Sequence, residues 1–370
     1  MKHITTYENN ATEDAVMVKE QIKDMWRESF APKEGWLDMY FDNVYKPEEA
    51  VFLTAGDDDD IIASSLILQR YMYYFHQNPI PVAYVSGATT REEYRKRGYM
   101  NELMRDAMTM AYERGDALMT LIPANRSLYF YYDKLGFSTI FYVDEARYTS
   151  MHRFEYSGKY RMIEAAGNHE VFRAVDSMLR EQDNVMLHTY DDFQNILRDV
   201  ALDGGRALAF VDENSSEIAA FALAVPGDDR LIVRELLYTN LDARNAALET
   251  LRQVYVDRPI TVVSRPGNRN IPMHARGMGR IINAKKLLEA YASRYPEIKQ
   301  SIKVYDPILP QNSHIYMIER GEVLINDGFG GKVDLDVTQE VLLSILSSEK
   351  RIGEIFNLPT ARPYISMMMD

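Results

Sequence analysis

The seven residues Tyr94-Arg95-Lys96-Arg97-Gly98-Tyr99-Met100 join a strand pattern to a helix pattern, and no other stretch constrains the chain as much. Upstream, Val82, Ala83, Tyr84 and Val85 predict a strand over Pro81 to Ala88. Downstream, Met100, Leu103, Met104, Ala107, Met108 and Ala111 recur at helical spacing and form one apolar face. Gly115 suits the C-cap of that helix, and Ala117 to Ile122 predicts the next strand. The joint therefore puts three cations and a glycine at a helix N-terminus. Unpaired backbone N–H groups and the positive end of the helix dipole favour phosphate there, and Gly98 lets the backbone come close without a Cβ. A solvated basic turn explains the same residues, since short glycine motifs are common.

Length and charge narrow the setting. A chain of 370 residues suggests two or three domains, and 42 Lys plus Arg against 55 Asp plus Glu gives a net charge of −13. That balance argues against nonspecific nucleic-acid binding and favours small cationic partners. With no cysteine, disulfides, a thiolate nucleophile and Cys-ligated metals are excluded, and the seven histidines show no ligand spacing, so no metal is expected. Residues 1–10 hold no apolar signal core and no apolar run nears the ~20 residues of a bilayer span, so a cytoplasmic location is expected. The run Asp57 to Asp60 lacks the glycine and glutamate of a calcium loop and reads as a hairpin turn.

Other segments follow the same logic. A helix is predicted from Asp14 to Phe30, then strands over Val51 to Ala55 and Ile61 to Tyr71, with Tyr71, Tyr73 and Tyr74 packing on strands, or, as the second reading, some of them lining a substrate pocket. From Arg147 the plan repeats: a helix over Asn168 to Arg180, strands near 207–212, 217–225 and 231–238, a helix with Ala246, Ala247, Leu248, Leu251 and Val254, and a strand over Ile260 to Val263. The joint of this second half has no RxxG spacing and carries Asp242, so a second diphosphate site is not expected. Gly277 and Gly279 read as a turn. A third, α+β unit follows, with a helix over Ala284 to Ser293, strands near 302–305, 315–319 and 322–325, and a helix over Thr338 to Ser347 that buries Val341, Leu342, Ile345 and Leu346.

The order strand, basic loop, helix, strand, then Pro123-Ala124-Asn125 and Tyr131-Tyr132-Asp133-Lys134-Leu135-Gly136-Phe137 resembles the GNAT superfamily of acetyl-CoA-dependent N-acyltransferases. Its diphosphate signature maps onto Arg95, Gly98 and Met100, with Met100 in place of the usual small residue. A second signature maps onto Tyr131, Tyr132, Lys134, Gly136 and Phe137, with Tyr131 in place of Phe. Over essentially the whole chain the plan resembles the enhanced intracellular survival family. Further landmarks are Met278 to Asn283, Val304-Tyr305-Asp306-Pro307 with Asn312, and Arg362-Pro363-Tyr364-Ile365. The resemblance implies an α/β (α+β) chain: a catalytic GNAT domain at 1–150, a degenerate second GNAT-like domain at 151–283 and a sterol-carrier-like domain at 284–370. It also implies a homo-oligomer such as a hexamer, a cofactor contact at Asn125 that is otherwise a turn or cap residue, and entry of the main-chain carboxylate of Asp370 into the active site.

Acetyl transfer to an amine needs a held thioester, a neutral nucleophile, a donor for the developing oxyanion and an acid for the leaving thiolate. Arg95, Lys96, Arg97, Gly98, Tyr99 and Met100 answer the first need, and Val85, Ser86 and Gly87 are candidates to position the acyl arm, with Gly87 suiting a bulge. Tyr132 is the candidate acid, because a phenol with a reference pKa near ~10 stays protonated at neutral pH; a core tyrosine is the alternative. No Asp, Glu or His lies between Val82 and Thr90, and Glu92 and Glu93 read as solvated. The expectation is an acetyl-CoA-dependent N-acetyltransferase acting, in a ternary complex, on an aminoglycoside-like compound, a polyamine or a lysine. The alternatives are a non-catalytic acyl-CoA or lipid-binding regulator and a tandem-GNAT aminoacyl-transfer protein.

Overall fold

The apolar spacing after Gly98 folds as the helix it predicts, and that helix organises one half of the molecule. In the computed structural model, residues 3–5, 13–55, 61–267, 273–347, 358–359 and 362–369 are described. The expected turn at Asp57 to Asp60 lies outside them. Elements in chain order are β1 (His3–Thr5), α1 (Glu13–Phe30), α2 (Glu34–Asn43), β2 (Ala50–Ala55), β3 (Ile61–Phe75), β4 (Asn78–Thr90), α3 (Tyr99–Arg114), β5 (Leu118–Leu121), α4 (Arg126–Asp133) and β6 (Ser138–Tyr148). Then come β7 (Tyr160–Glu164), α5 (His169–Gln182), β8 (Val185–Leu187), α6 (Tyr190–Leu202), β9 (Arg206–Asp212), β10 (Ile218–Pro226), β11 (Leu231–Tyr238), α7 (Leu241–Val254) and β12 (Ile260–Ser264). Last are β13 (Met273–Ile281), α8 (Ala284–Arg294), β14 (Gln300–Tyr305), β15 (Ile315–Glu319), β16 (Glu322–Ile325), β17 (Leu335–Thr338) and α9 (Gln339–Leu346). The chain divides into two compact units: Met1–Phe141 with Gly277–Arg362, and Tyr142–Arg276 with Pro363–Met369.

In the first unit the strands run β1-β2-β3-β4-β5-β13. Neighbours are antiparallel except β4 and β5, which pair in parallel at Val82–Leu118, Ala83–Met119 and Tyr84–Thr120. Such a pair needs a crossover, and α3 supplies it. Leu103, Met104, Ala107, Met108 and Ala111 bury the predicted face against Val51, Leu66, Leu68, Ala83, Met119 and Leu121. Each buried Leu or Met contributes roughly 1.5–3 kcal/mol. Gly115 ends the helix in the left-handed region (φ +84°) and donates to the carbonyls of Ala111 and Tyr112.

Three readings of this unit need correction. β3 continues past Tyr71 to Phe75, because Tyr71, Tyr73 and Phe75 point inward while Met72 is exposed, and His76 and Gln77 (φ +45° and +64°) close a two-residue hairpin without a glycine. Gly277 and Gly279 form no turn. Gly279 pairs with Thr120 in β13, where a Cβ at Gly277 would stand 3.0 Å from the Leu121 carbonyl and one at Gly279 2.6 Å from Ile140 Cδ1. In α9, packed beside the four-stranded sheet β16-β15-β14-β17, Val341 is 46% exposed and Leu343 is buried instead. At about 100° per residue, a stripe centred on Leu342, Ile345 and Leu346 carries Val341 out of the core.

The second unit runs β7-β9-β10-β11-β12-β6. Here β11 and β12 are the parallel pair, and α7 is the crossover, burying Ala243, Ala246, Ala247, Leu248 and Leu251. The unit therefore repeats the internal order of the first: two antiparallel strands, then a parallel pair joined by a helix. α6 was not visible as a periodic segment, although Thr189 and Asp192 form its capping box.

Candidate active site

Parallel pairing between β4 and β5 stops at Tyr84–Thr120, and the next residues of β4 are Val85, Ser86 and Gly87. On the other edge of β4 the register with β3 shifts between Ser65 and Ile67, so two β3 steps face three on β4. Gly87 sits in this bulge with φ +58°, and a Cβ there would stand inside the Trp26 indole. Past Tyr84 the strand pairs with β3 only, among the described residues, leaving its other edge for an extended amide-bearing chain.

Gly98 is the N-cap of α3 in the left-handed region (φ +90°), with no side chain capping the helix. A Cβ on Gly98 would meet nothing within 4 Å, so the space above this helix start is open. The first N–H groups of α3 have no intrahelical acceptor and point that way. Arg95, Lys96, Arg97 and Gly98 are exposed, as are Glu92 and Glu93; Tyr99 and Met100 are half-buried. Arg95 Nε donates to the Thr90 carbonyl at 3.0 Å, the Arg97 guanidinium lies 5.6 Å from the Tyr94 ring centroid, and Lys96 takes φ +62°. These exposed cations surround an uncapped helix start, and their chemistry fits a diphosphate.

Residues 13–140 match the sequence model of the GNAT acetyltransferase domain. This is a GNAT acetyltransferase domain. The chain is accordingly an N-acetyltransferase. No curated protein sequence matches it. Solved structures share its fold from end to end. A probable N-acyltransferase from Enterococcus faecalis covers 99% of this chain and 98% of its own, with a TM-score of 0.77 at 13% identity. A GCN5-related N-acetyltransferase from Anabaena variabilis covers 98% of both chains, with a TM-score of 0.78 at 15% identity. Eis1 from Mycobacterium abscessus covers 93% of this chain and 91% of its own, with a TM-score of 0.69 at 13% identity.

Within the GNAT domain, Asn125 is the N-cap of α4, accepting from Ser127 N at 3.0 Å and Leu128 N at 3.3 Å. That is the cap alternative of its two readings, and it fixes the helix carrying Tyr132. Tyr132 is 7% exposed, edge-on to Tyr131 at 5.1 Å and Phe137 at 5.7 Å, and its hydroxyl makes no hydrogen bond among the described residues. Burial pushes its phenol up to about 12. Asp370 lies outside the described residues.

Sequence reasoning missed two supports of this site. One is aromatic: α1 and α2 place Trp26, Trp36 and Tyr40 beside the bulge, with Trp26–Tyr40 centroids 4.7 Å apart and Trp36–Tyr40 5.4 Å apart. The Tyr40 hydroxyl reaches Ser86 Oγ at 3.5 Å, and the buried Trp26 Nε1–H has no acceptor among the described residues. The other is a buried ion pair. Arg280 donates to Asp306 at 2.7 and 3.0 Å and to the Leu135 carbonyl at 2.9 Å, while Gln339 donates to the Gly136 carbonyl at 2.6 Å. Burial alone would raise the Asp306 carboxyl, but Arg280, Asn312 and the Leu309 N–H hold it below its usual value. The landmarks at Met278 to Asn283 and at Asp306 thus have a physical role: they brace the turn after Tyr132.

The bulge yields a direct expectation. Gly87→Ala should cost roughly 2–5 kcal/mol, from a left-handed alanine plus overpacking against Trp26, whereas Gly98→Ala, in open space, should cost only about 1–2 kcal/mol. Denaturant midpoints of the two variants measure this, and equal losses would contradict the packing account.

Proposed function

We propose that the GNAT domain transfers an acetyl group from acetyl-CoA to a cationic amine by direct attack in a ternary complex. The observation that carries this reading is the open, uncapped start of α3, one short loop after a β4 strand that pairs on one edge only beyond Tyr84 among the described residues. Bound acetyl-CoA would supply the thioester. Its diphosphate would rest on the N–H groups of Tyr99 and Met100 and the Gly98 turn, with Arg95, Lys96 and Arg97 around it. Val85, Ser86 and Gly87 would hold the acyl arm by backbone bonds, and an N–H of this stretch would face the developing oxyanion. Tyr132 would protonate the leaving thiolate, a role for which a phenol kept neutral to about pH 12 is available at any physiological pH.

For the acceptor, the half-buried Trp36 ring, stacked on the buried Trp26 and Tyr40, would present an aromatic face that attracts an ammonium, in keeping with the net charge of −13. The carboxylate at Asp370 is proposed, from the family resemblance, to orient this ammonium and take its proton. The resemblance further supports reading the chain as a catalytic module at 1–150, a degenerate GNAT-like module at 151–283 and a sterol-carrier-like module at 284–370, assembled as a cytoplasmic homo-oligomer such as a hexamer. Among the described residues no helix is long and apolar enough to cross a membrane.

A panel of polyamines, aminoglycosides, lysine peptides and neutral amines, incubated with acetyl-CoA and read by thiol release, tests the acceptor class. The expected result is turnover of polycationic amines with KM rising as salt rises, because exposed charge attraction is screened over ~10 Å at about 0.1 M. Preference for a neutral amine, without salt dependence, would contradict it.

A further inference from the structure

Parallel pairing of β11 with β12 covers only Leu231, Ile232 and Val233. Two residues past the last pair stands Glu235, the register position that Ser86 holds on β4 of the first unit. It is 3% exposed, on a strand otherwise lined by Leu231, Val233, Leu236 and Leu237. A carboxyl in such a place demands hydrogen-bond partners. They arrive from far along the chain, within the same unit. The Ser366 hydroxyl donates to Glu235 Oε2, and the Tyr364 hydroxyl is a second partner. The segment is held by its backbone as well: Tyr364 N–H donates to the Asn184 carbonyl at 2.8 Å, beside a parallel bridge between Val185 and Tyr364, and His188 Nε2–H donates to the Ser366 carbonyl at 3.0 Å. Tyr364 is 3% exposed and Ser366 fully buried.

We propose that the second unit is a dock for the segment Pro363–Met369, and that Glu235 is the group whose ionisation loosens it. In place of an acyl carrier, the opened central strand of this unit holds a piece of its own chain. The charged and titratable groups around the dock are Tyr364 itself, with Arg276 and Arg265 acting on it, and His188, with Asp192 and Asp176 acting on it. Burial raises the Tyr364 phenol and lowers the His188 imidazole, so both are neutral near pH 7. Glu235 is different. Burial pushes it up to about 7 from 4.5, against the opposing bonds from Ser366, the Leu236 N–H and Tyr364.

The sign follows from proton linkage. The docked state binds more protons than the released state between pH 4.5 and about 7, so docking is tightest at acid pH and weakens as pH rises through that window. Between pH 6 and pH 8 Glu235 by itself makes the opening constant grow about tenfold, and His188, held neutral in the dock and able to charge on release, opposes this at the acid end, so the net growth is smaller.

Hydrogen exchange of the full chain reads this directly. After correction for intrinsic rates, the protection factor of the Tyr364 amide should fall severalfold from pH 6 to pH 8, while that of Ala222, central in the same sheet, stays constant. In Glu235→Gln the fall should vanish. In Ser366→Ala, which removes a bond that favours the ionised carboxyl, the fall should be larger than in the wild type. An unchanged Tyr364 protection factor in the wild type, a fall that persists in Glu235→Gln, or a Ser366→Ala step no larger than the wild-type step would each overturn the proposal. The readout needs no acetyl-CoA and no turnover, so it stands or falls separately from the proposed reaction.

Discussion

Gly98→Val should weaken acetyl-CoA binding by roughly a hundredfold or more while leaving the fold intact. Valine is strongly disfavoured at φ +90°, so the turn must move, and with it the N–H groups at the start of α3. Hydrogen bonds to a charged group contribute about 1.5–3 kcal/mol each, so losing two of them accounts for the size of the effect. Because a Cβ at Gly98 meets no neighbour within 4 Å, the loss should not arise from a packing clash. The comparison is the matching joint of the second unit. There Asn240 caps α7 with its own side chain, which takes the Ala243 N–H, and Asp242 brings a negative charge bonded to Ser157. Substitutions at Asp242 or Ala243 should leave acetyl-CoA affinity unchanged. Titration calorimetry on both sets checks this, and an equal loss from both would remove the assignment.

Tyr132→Phe should lower kcat by roughly 10²–10⁴ with acetyl-CoA affinity preserved. The ring and its contacts with Tyr131 and Phe137 remain, and no protein hydrogen bond among the described residues is lost, so the change deletes only a proton donor. The wild-type enzyme should show no alkaline loss of kcat from this group until the pH approaches about 12, where half of the phenol would be ionised, since burial raises rather than lowers it. A variant with kcat within a few fold of wild type would leave Tyr132 as a core residue.

Legibility in the sequence followed the range of the interactions. Gly98, the α3 face and the Gly115 cap are local, and all three could be read from spacing within a few turns of helix. Asn125 was legible as a possible cap for the same reason. α2 was not: its N-cap, Lys33, has no side-chain cap and Gly35 weakens its first turn, so the helix rests on packing by Leu37, Tyr40 and Phe41. With α2 unseen, Trp36 and Tyr40 could not be placed beside Gly87. The bracing role of Arg280 carries no local signal, because its partners Leu135 and Asp306 lie 145 and 26 residues away. Glu235 and Ser366 are separated by 131 residues and carry no mutual signal.

The central claim is that one diphosphate site exists and lies at the start of α3. Hydrogen exchange of the full chain with and without saturating acetyl-CoA, combined with binding stoichiometry, tests it most directly. The account predicts a single equivalent of acetyl-CoA per chain, with new protection concentrated at the amides of Val85 to Gly87 and Gly98 to Asn101. Protection at Leu241 to Ala243 in place of these, or a second equivalent bound, would contradict it.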